Sequence, residues 1–360
     1  VLWKGRKRMK AARLFKIGDF RTVEVARPEP HGKQILVKVN ACGICGSDIP
    51  RIFELGTSKQ KYPLTIGHEF GGEIVAVGED ADPTLIGKRG AIFPCIPCRK
   101  CAPCESGDYA MCLDYDYLGS RSDGGFAEYC LVPSEWHFVE STNPDLSDDA
   151  LAMVEPCTVA QHAIRKSGLT AGQNLLIFGA GPIGQMAARW GKIFGASTVV
   201  LVDVLDEKVE YARSHGNIAF NSMTTDIAAE FKKLTGGKLP DVVIEGTGAG
   251  AALGLGIECC KTFGTVVMMG NPHRDTIIKL AQHSMILRKE LVLRGIWNSH
   301  YAQSPINEWQ YTVQMLDEGR MQVEDLITHR ITLDGIPKLC EDIYTHKVSI
   351  CKALYSVNAK

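Results

Sequence analysis

The sequence predicts an α/β protein of two domains, a β-rich barrel-like domain and a doubly wound parallel sheet. Three observations carry this. Up to about Val132 the chain offers short alternating or β-branched runs, broken by Gly, Pro and Asn, with no strand–helix rhythm. From Gln173 onward apolar strands alternate with helical stretches, the pattern of a parallel sheet. The length of 360 residues is enough for two domains, each with its own core.

In the first region strands are expected at 21–25, 35–39, 73–77 and 126–132. The stretch 147–168 has apolar residues at helical spacing, although Pro156 falls inside it and should disturb the turn before it. The second region gives a strand over 174–178, a helix to Phe194, and a strand over 198–202 ending at Asp203. Strands at 241–245, 265–269 and 291–296 and a helix at 251–260 continue the alternation. The last part yields helices at 307–318 and 336–344 and one strand at 348–355, too little for a third domain, so it should return to complete the first. The expected boundaries are 9–160, 161–298 and 299–360.

Composition excludes several classes. A formal net charge of −1 lacks the basic face that nucleic-acid binding needs. No uncharged apolar run is long enough to cross a bilayer; Ala251 to Gly270 is interrupted by Glu258, Lys261 and glycines. The start, VLWKGRKRMK, is basic without the apolar core of a secretory signal and reads as an extension before an ordered chain beginning near Met9. Thirteen cysteines, an odd number and mostly scattered, do not make a disulfide framework, which points to a reducing, cytoplasmic setting.

Two clusters suggest metals. Cys98, Cys101, Cys104 and Cys112 form C-x2-C-x2-C-x7-C within a Pro- and Gly-rich lobe, 94–113, that has neither helical nor strand period. Four thiolates at that spacing can close a tetrahedron around a structural zinc, with Cys95 just outside it. The stretch Cys42–Gly72 is sparser. It carries Cys45, Ser47 and Asp48 in ACGICGSD and His68 and Glu69 in TIGHEFGG, with His68 23 positions beyond Cys45 and no local partner for either. Thiolate, imidazole and carboxylate from distant segments are the pattern of a catalytic metal with an open position. Glu155, among apolar neighbours, reads either as a solvated surface carboxylate or as one aimed into that metal site. Ser47 is placed to pass a proton and Asp48 to orient His68, although Ser-Asp also suits a helix start.

Gly179-Ala-Gly181-Pro182-Ile183-Gly184 follows a strand, opens a helix, and is followed by an acid, Asp203, that closes the next strand. In that context the glycines permit close approach of a pyrophosphate to the helix N-terminus. Pro182 sits where its missing N–H costs little, and Ile183 belongs to the same turn. Asp203 should accept hydrogen bonds from the adenine ribose hydroxyls, selecting NAD over NADP, with Lys208 nearby able to tolerate a phosphate. A metal and a nicotinamide together give one economical chemistry, hydride transfer from an alcohol activated by zinc.

GHEFGGEIVAVG, CGICGSD, the four-cysteine lobe and GAGPIG resemble the zinc-dependent medium-chain dehydrogenase/reductase superfamily over essentially the whole chain after Met9. The resemblance implies a GroES-like β-barrel catalytic domain built from both ends of the chain and a central Rossmann domain. It points to the polyol dehydrogenase branch, in which Glu155 replaces a cysteine ligand of the alcohol dehydrogenases. Cys45, His68 and either Glu69 or Glu155 would then hold the catalytic zinc with water, giving two zinc ions per chain. CGSDIPRIF, YDYLGSRSDGGFAEY, VEPCTVAQHA and ILRKELVLRGIWNSH with EWQ beyond are similar to polyol-phosphate members, and a phosphate would want a cationic clamp, for which Arg51 and Arg121 lie in matching segments. Gly87-Lys88-Arg89-Gly90 departs from the usual Gly-Asp-Arg-Val, so no role carries over to Lys88. The resemblance also implies a homodimer, or a tetramer, paired through the sheet edge near 291–296.

Overall fold

The computed structural model describes residues 7–359, so most of the basic extension 1–8 lies outside the described residues. The chain divides into two compact units, one running to Pro156 and resuming at His300, the other Cys157–Ser299.

The first unit is the GroES-like barrel domain. Its main sheet runs in the order Phe138–Glu140, Arg89–Ile92, Glu69–Val77, Ile35–Gly43, Lys352–Ser356 and Ile327–Ile331, with Tyr129–Val132 also paired to Ile35–Gly43. A three-stranded sheet of Asp19–Ala26, Arg8–Lys16 and Leu64–Thr65 completes it. Val37, Val39, Ile66, Phe70, Ile74, Phe126 and Tyr355 meet in one core. Returning residues supply two strands rather than the single one expected. Ile327–Ile331 and Lys352–Ser356 pair in parallel around the helix Ile336–Tyr344. The short ITHRI run is apolar only at its two ends, and the three polar residues between them hid it. The terminal strand is also shorter than expected, because the Cys351 amide turns aside to donate to Thr328 Oγ1 at 3.2 Å.

The expected helix over 147–168 is two helices, Asp148–Ala152 and Val154–Ser167. The break places Pro156 in the first turn of the second helix, where an N–H has no partner to lose. At the departure noted above, Lys88 pairs with Glu140 and Arg89 with Asp148, both structural contacts.

The second unit is a Rossmann sheet of six parallel strands, in the order Ile218–Asn221, Thr198–Asp203, Asn174–Phe178, Val242–Glu245, Thr265–Met268 and Val292–Gly295. The strand Ile218–Asn221 and the helices Asp206–Ser214, Ile227–Leu234 and Leu280–Arg288 escaped the sequence reading. The outer strand is four residues long with polar neighbours, too short for its period to stand out.

His137 sits buried beside Phe93, Trp136 and Tyr301, its Nδ1–H donating to the Phe93 carbonyl at 3.0 Å. Burial, only partly opposed by that bond, pushes its pKa down to about 4. The unfolded chain therefore binds a proton near pH 6.5 that the folded chain refuses until about pH 4. Stability contributed by the neutral ring is full above pH 6.5 and falls as pH drops towards 4, by up to about 3 kcal/mol. Urea unfolding from pH 7 to pH 4.5 is expected to show that decline, and His137→Gln to flatten it.

Candidate metal centre and nucleotide site

Three neighbouring strands of the first unit end at one place. Ile35–Gly43 finishes there, while Glu69–Val77 and Lys352–Ser356 begin there, one on each side of it. Gly43 is paired across the sheet with Glu69 on one flank and with Leu354 on the other. Cys45 lies two residues beyond the central strand, and His68 immediately precedes the strand that Glu69 opens. Sequence separation is thus erased by strand pairing. Ligand atoms of Cys45, His68 and Glu69 all come within 4.8 Å of one another.

Each member is held by a specific partner. The fully buried Asp48 accepts from the Cys45 amide at 3.0 Å and from Arg51 Nη1 at 2.8 Å. Its Oδ1 also faces His68 Nδ1 at 3.5 Å, too long for a good hydrogen bond, and that nitrogen has no hydrogen-bond partner. Burial works against a proton on His68, but the Asp48 carboxylate and the Cys45 sulfur outweigh it and hold its pKa well above the ordinary imidazole value. Burial would raise Asp48, but His68 and Arg51 overcome it and lower its pKa. With Nδ1 turned to the Asp48 carboxylate, the ring leaves its other nitrogen for a metal, and thiolate, imidazole and carboxylate this close together suit zinc.

Glu69 is buried and ion-paired with Lys352, whose Nζ also donates to the Ile44 carbonyl at 3.1 Å. The pair fits because position 43 has no side chain: a Cβ there would lie 2.2 Å from Glu69 Oε2 and 3.0 Å from Lys352 Cε. Lys352 went unnoticed in the sequence. Its signal was a lone lysine opening the otherwise apolar run KALYS, since a lysine is almost never fully buried unless paired.

Glu155 is buried, so it is not the solvated surface carboxylate that its sequence also allowed. It accepts from the Tyr117 hydroxyl at 3.4 Å, and Tyr117 meets His68 edge-on at 5.9 Å between ring centres. Burial pushes its pKa up to about 7, with Glu69 adding to the rise and His68 opposing it. It stands next to the compact group of three rather than within it. Ser47 is exposed at the edge of the group and donates to Cys45 Sγ at 3.3 Å; it makes no helix-capping bond with its side chain. Arg51 is engaged by Asp48. Arg121 donates to the Tyr115 carbonyl at 2.6 Å and lies 3.8 Å over the Tyr115 ring.

In the cysteine lobe the four Sγ atoms of Cys98, Cys101, Cys104 and Cys112 all lie within 4.8 Å of one another. Cys101 and Cys112 sulfurs are 3.9 Å apart, near the edge of about 3.8 Å that a tetrahedron with zinc–sulfur bonds of about 2.3 Å requires. The Cys98 amide points at Cys112 Sγ at 3.2 Å, as a donor to a thiolate would. Cys95 is not a member; its sulfur faces the Tyr109 carbonyl, and burial pushes its thiol up to about 12.

In the second unit the strand Asn174–Phe178 runs through Gly179 and Gly181 into the helix Pro182–Ile193. A Cβ on Gly184 would lie 1.8 Å from the Gly179 carbonyl oxygen, so the helix can seat on the strand only with glycine there. A Cβ on Gly181 would meet nothing within 4 Å, which leaves the helix N-terminus open to an approaching anion. Pro182 and Ile183 are half-buried in the first turn. Asp203 ends its strand with Oδ2 accepting from the Ala180 amide at 2.9 Å and Oδ1 from the Val204 amide at 2.8 Å, which fixes the carboxylate beside the glycine turn. Lys208 is half-buried on the following helix, Asp206–Ser214.

Comparison with known proteins matches residues 31–142 to the alcohol dehydrogenase GroES-like domain and residues 182–318 to the zinc-binding dehydrogenase family. The chain is 34% identical to galactitol 1-phosphate 5-dehydrogenase of Escherichia coli (strain K12), over 91% of this chain and 94% of that one. The crystal structure of galactitol-1-phosphate dehydrogenase from Escherichia coli superposes with a TM-score of 0.89 at 33% identity, covering 97% of this chain and all (100%) of the other. Sorbitol dehydrogenase of Bacillus subtilis (strain 168) is 30% identical over 97% of this chain and 98% of its own. A zinc-binding dehydrogenase from Sinorhizobium meliloti 1021 bound to NADP superposes with a TM-score of 0.89 at 28% identity, covering 98% and 100%.

Metal analysis of the purified protein is expected to give two zinc ions per chain. Cys45→Ser and Cys101→Ser should each retain one, and only Cys101→Ser should lower the melting temperature markedly, because a closed four-thiolate site contributes folding free energy.

Proposed function

The chain belongs to the zinc-binding dehydrogenases with an alcohol dehydrogenase GroES-like domain, and from that membership we propose that it oxidises a secondary alcohol of a polyol phosphate to a ketone with NAD as hydride acceptor. Galactitol 1-phosphate is the first substrate to test. The observation that carries the reaction class is the convergence of Cys45, His68 and Glu69 at one strand end, in a chain whose other unit holds a complete dinucleotide turn.

Cys45 and His68 would hold the catalytic zinc with a carboxylate from Glu69 or Glu155, and the four-cysteine lobe the structural zinc. Bound zinc would supply Lewis acidity towards the substrate hydroxyl, and bound NAD would supply the hydride acceptor. Asp48, braced by Arg51, fixes the orientation of His68 and the backbone at Cys45. Ser47 Oγ gives up its bond to Cys45 Sγ by rotation about one torsion, accepts the hydroxyl proton and passes its own to solvent, to which it is exposed. The carbon–hydrogen bond breaks with its electron pair, a C=O forms, and one proton leaves, so the balance closes. Glu155, held by Tyr117, contributes negative charge beside the group.

NAD over NADP rests on Asp203: its carboxylate is fixed by three backbone amides and repels a 2′-phosphate, although Lys208 lies on the next helix. For a phosphorylated substrate Arg121 is the better placed of the two arginines, since Arg51 serves Asp48. A guanidinium has five donors, of which the Tyr115 carbonyl takes one. An unphosphorylated polyol is the second reading, favoured by the likeness to sorbitol dehydrogenase. Among the described residues no helix is long and apolar enough to cross a membrane. Among the described residues none of the thirteen cysteines forms a disulfide, which supports a reducing, cytoplasmic setting. The exposed outer strand Val292–Gly295, with Leu280 and Leu287 exposed on the preceding helix, supports pairing into a homodimer, from which a tetramer can be built.

A panel of polyols with and without phosphate, followed by NADH absorbance, is expected to favour galactitol 1-phosphate in kcat/KM by at least about tenfold; equal values on sorbitol would remove the phosphate from the reading. Gly181→Ala should leave unfolding within about 0.5 kcal/mol of the parent yet weaken NADH binding, read by fluorescence titration, by about tenfold or more.

A further inference from the structure

Lys352, buried against Glu69, has no place in the steps above, yet the fold makes room for the pair at the metal group. Both side chains are under 5% exposed, and position 43 is kept empty by glycine so that they can meet. Two buried charges taken from water are costly unless their surroundings use them. Counting charge around the proposed zinc shows what this pair does. With a divalent cation beside Glu155 to keep it ionised, the Cys45 thiolate and the Glu69 and Glu155 carboxylates bring three negative charges. A divalent ion brings two positive charges, and Asp48 is already balanced by Arg51 at 2.8 Å. Lys352 supplies the third.

Resting on the zinc dehydrogenase reading, we infer that Lys352 is a positioning residue: it holds Glu69 at the group and supplies the charge that lets three anionic side chains surround one divalent ion. The lysine draws on one oxygen of Glu69, so the carboxylate does not commit its full charge to the metal. The site then stays neutral overall, with its Lewis acidity available to the substrate hydroxyl. Lys352 reaches this point from the far end of the chain, on a strand paired directly to the one that ends at Gly43. Its second bond, to the Ile44 carbonyl, anchors the ammonium in place rather than letting it swing towards Glu155.

The test is a double-mutant cycle on the full-length, zinc-loaded protein, reading zinc affinity of the three-residue group by competition with a chelator. Lys352→Met leaves the site one charge too negative and is expected to bind zinc about tenfold more tightly or more, with kcat reduced and KM little changed. Glu69→Gln leaves it one charge too positive and should bind zinc about tenfold more weakly or worse. The double variant Lys352→Met/Glu69→Gln restores neutrality and should return to within about threefold of the parent, as should Lys352→Arg, which keeps the charge. If Lys352→Met does not fold, the comparison of Glu69→Gln with the double variant still decides. A double variant that binds zinc no better than Glu69→Gln, or a Lys352→Met protein with parental zinc affinity and turnover, overturns the inference. A parent protein with a single zinc per chain, or without dehydrogenase activity, would instead overturn the reading on which it rests.

Discussion

A side chain at position 43 would collide with the Glu69 carboxylate at 2.2 Å, and on that vacancy in the sheet the rest of the site depends. Strands pair closely enough that whatever stands at their shared end must fit within a few ångströms. With glycine there, the residues just beyond three strand ends converge: Cys45 after the central strand, His68 and Glu69 at the start of one neighbour, Lys352 at the start of the other. The barrel's ladder of backbone hydrogen bonds therefore fixes the geometry of the group before any metal binds. A site on paired strand ends is more rigid than one on loops, which is what a metal with an open position requires.

The two groups that could hold a metal illustrate how differently a fold can use cysteine. In the lobe, four cysteines within a short irregular segment leave no place for an outside ligand. In the barrel a single cysteine shares its group with an imidazole and a carboxylate, and a layer of partners surrounds them: Asp48 and Arg51 behind His68, Lys352 behind Glu69, Tyr117 on Glu155. The remaining buried thiols, such as Cys130, Cys157 and Cys340, are pushed well above the ordinary thiol range by burial and act as small apolar side chains.

Much of this was legible in the sequence because the chemistry is carried by short motifs whose spacing has a local cause. The glycine turn, the acid closing the next strand and the four-cysteine lobe each declare themselves within a few tens of residues. The change of rhythm at Gln173 separated the sheet domain from the barrel for the same reason. What stayed hidden was non-local. Lys352 lies 283 positions from Glu69, and only strand pairing reveals that they meet. The outer strand Ile218–Asn221 and the returning strand Ile327–Ile331 are held by neighbours rather than by their own period. The break within 147–168 is hidden because the periodicity of the apolar residues continues across it, while Pro156, which would disturb one continuous helix, sits in the first turn of the second.

Cys45 and His68, with a carboxylate from Glu69 or Glu155, would hold the working metal at the shared strand end, and the cysteine lobe the other. The most direct measurement is a crystallographic anomalous difference map recorded at the zinc absorption edge. The account predicts two peaks per chain, one enclosed by the four sulfurs of the lobe and one within bonding distance of Cys45 Sγ and a ring nitrogen of His68. A fully loaded, active crystal with a peak only in the lobe, or with its second peak away from Cys45 and His68, would contradict it.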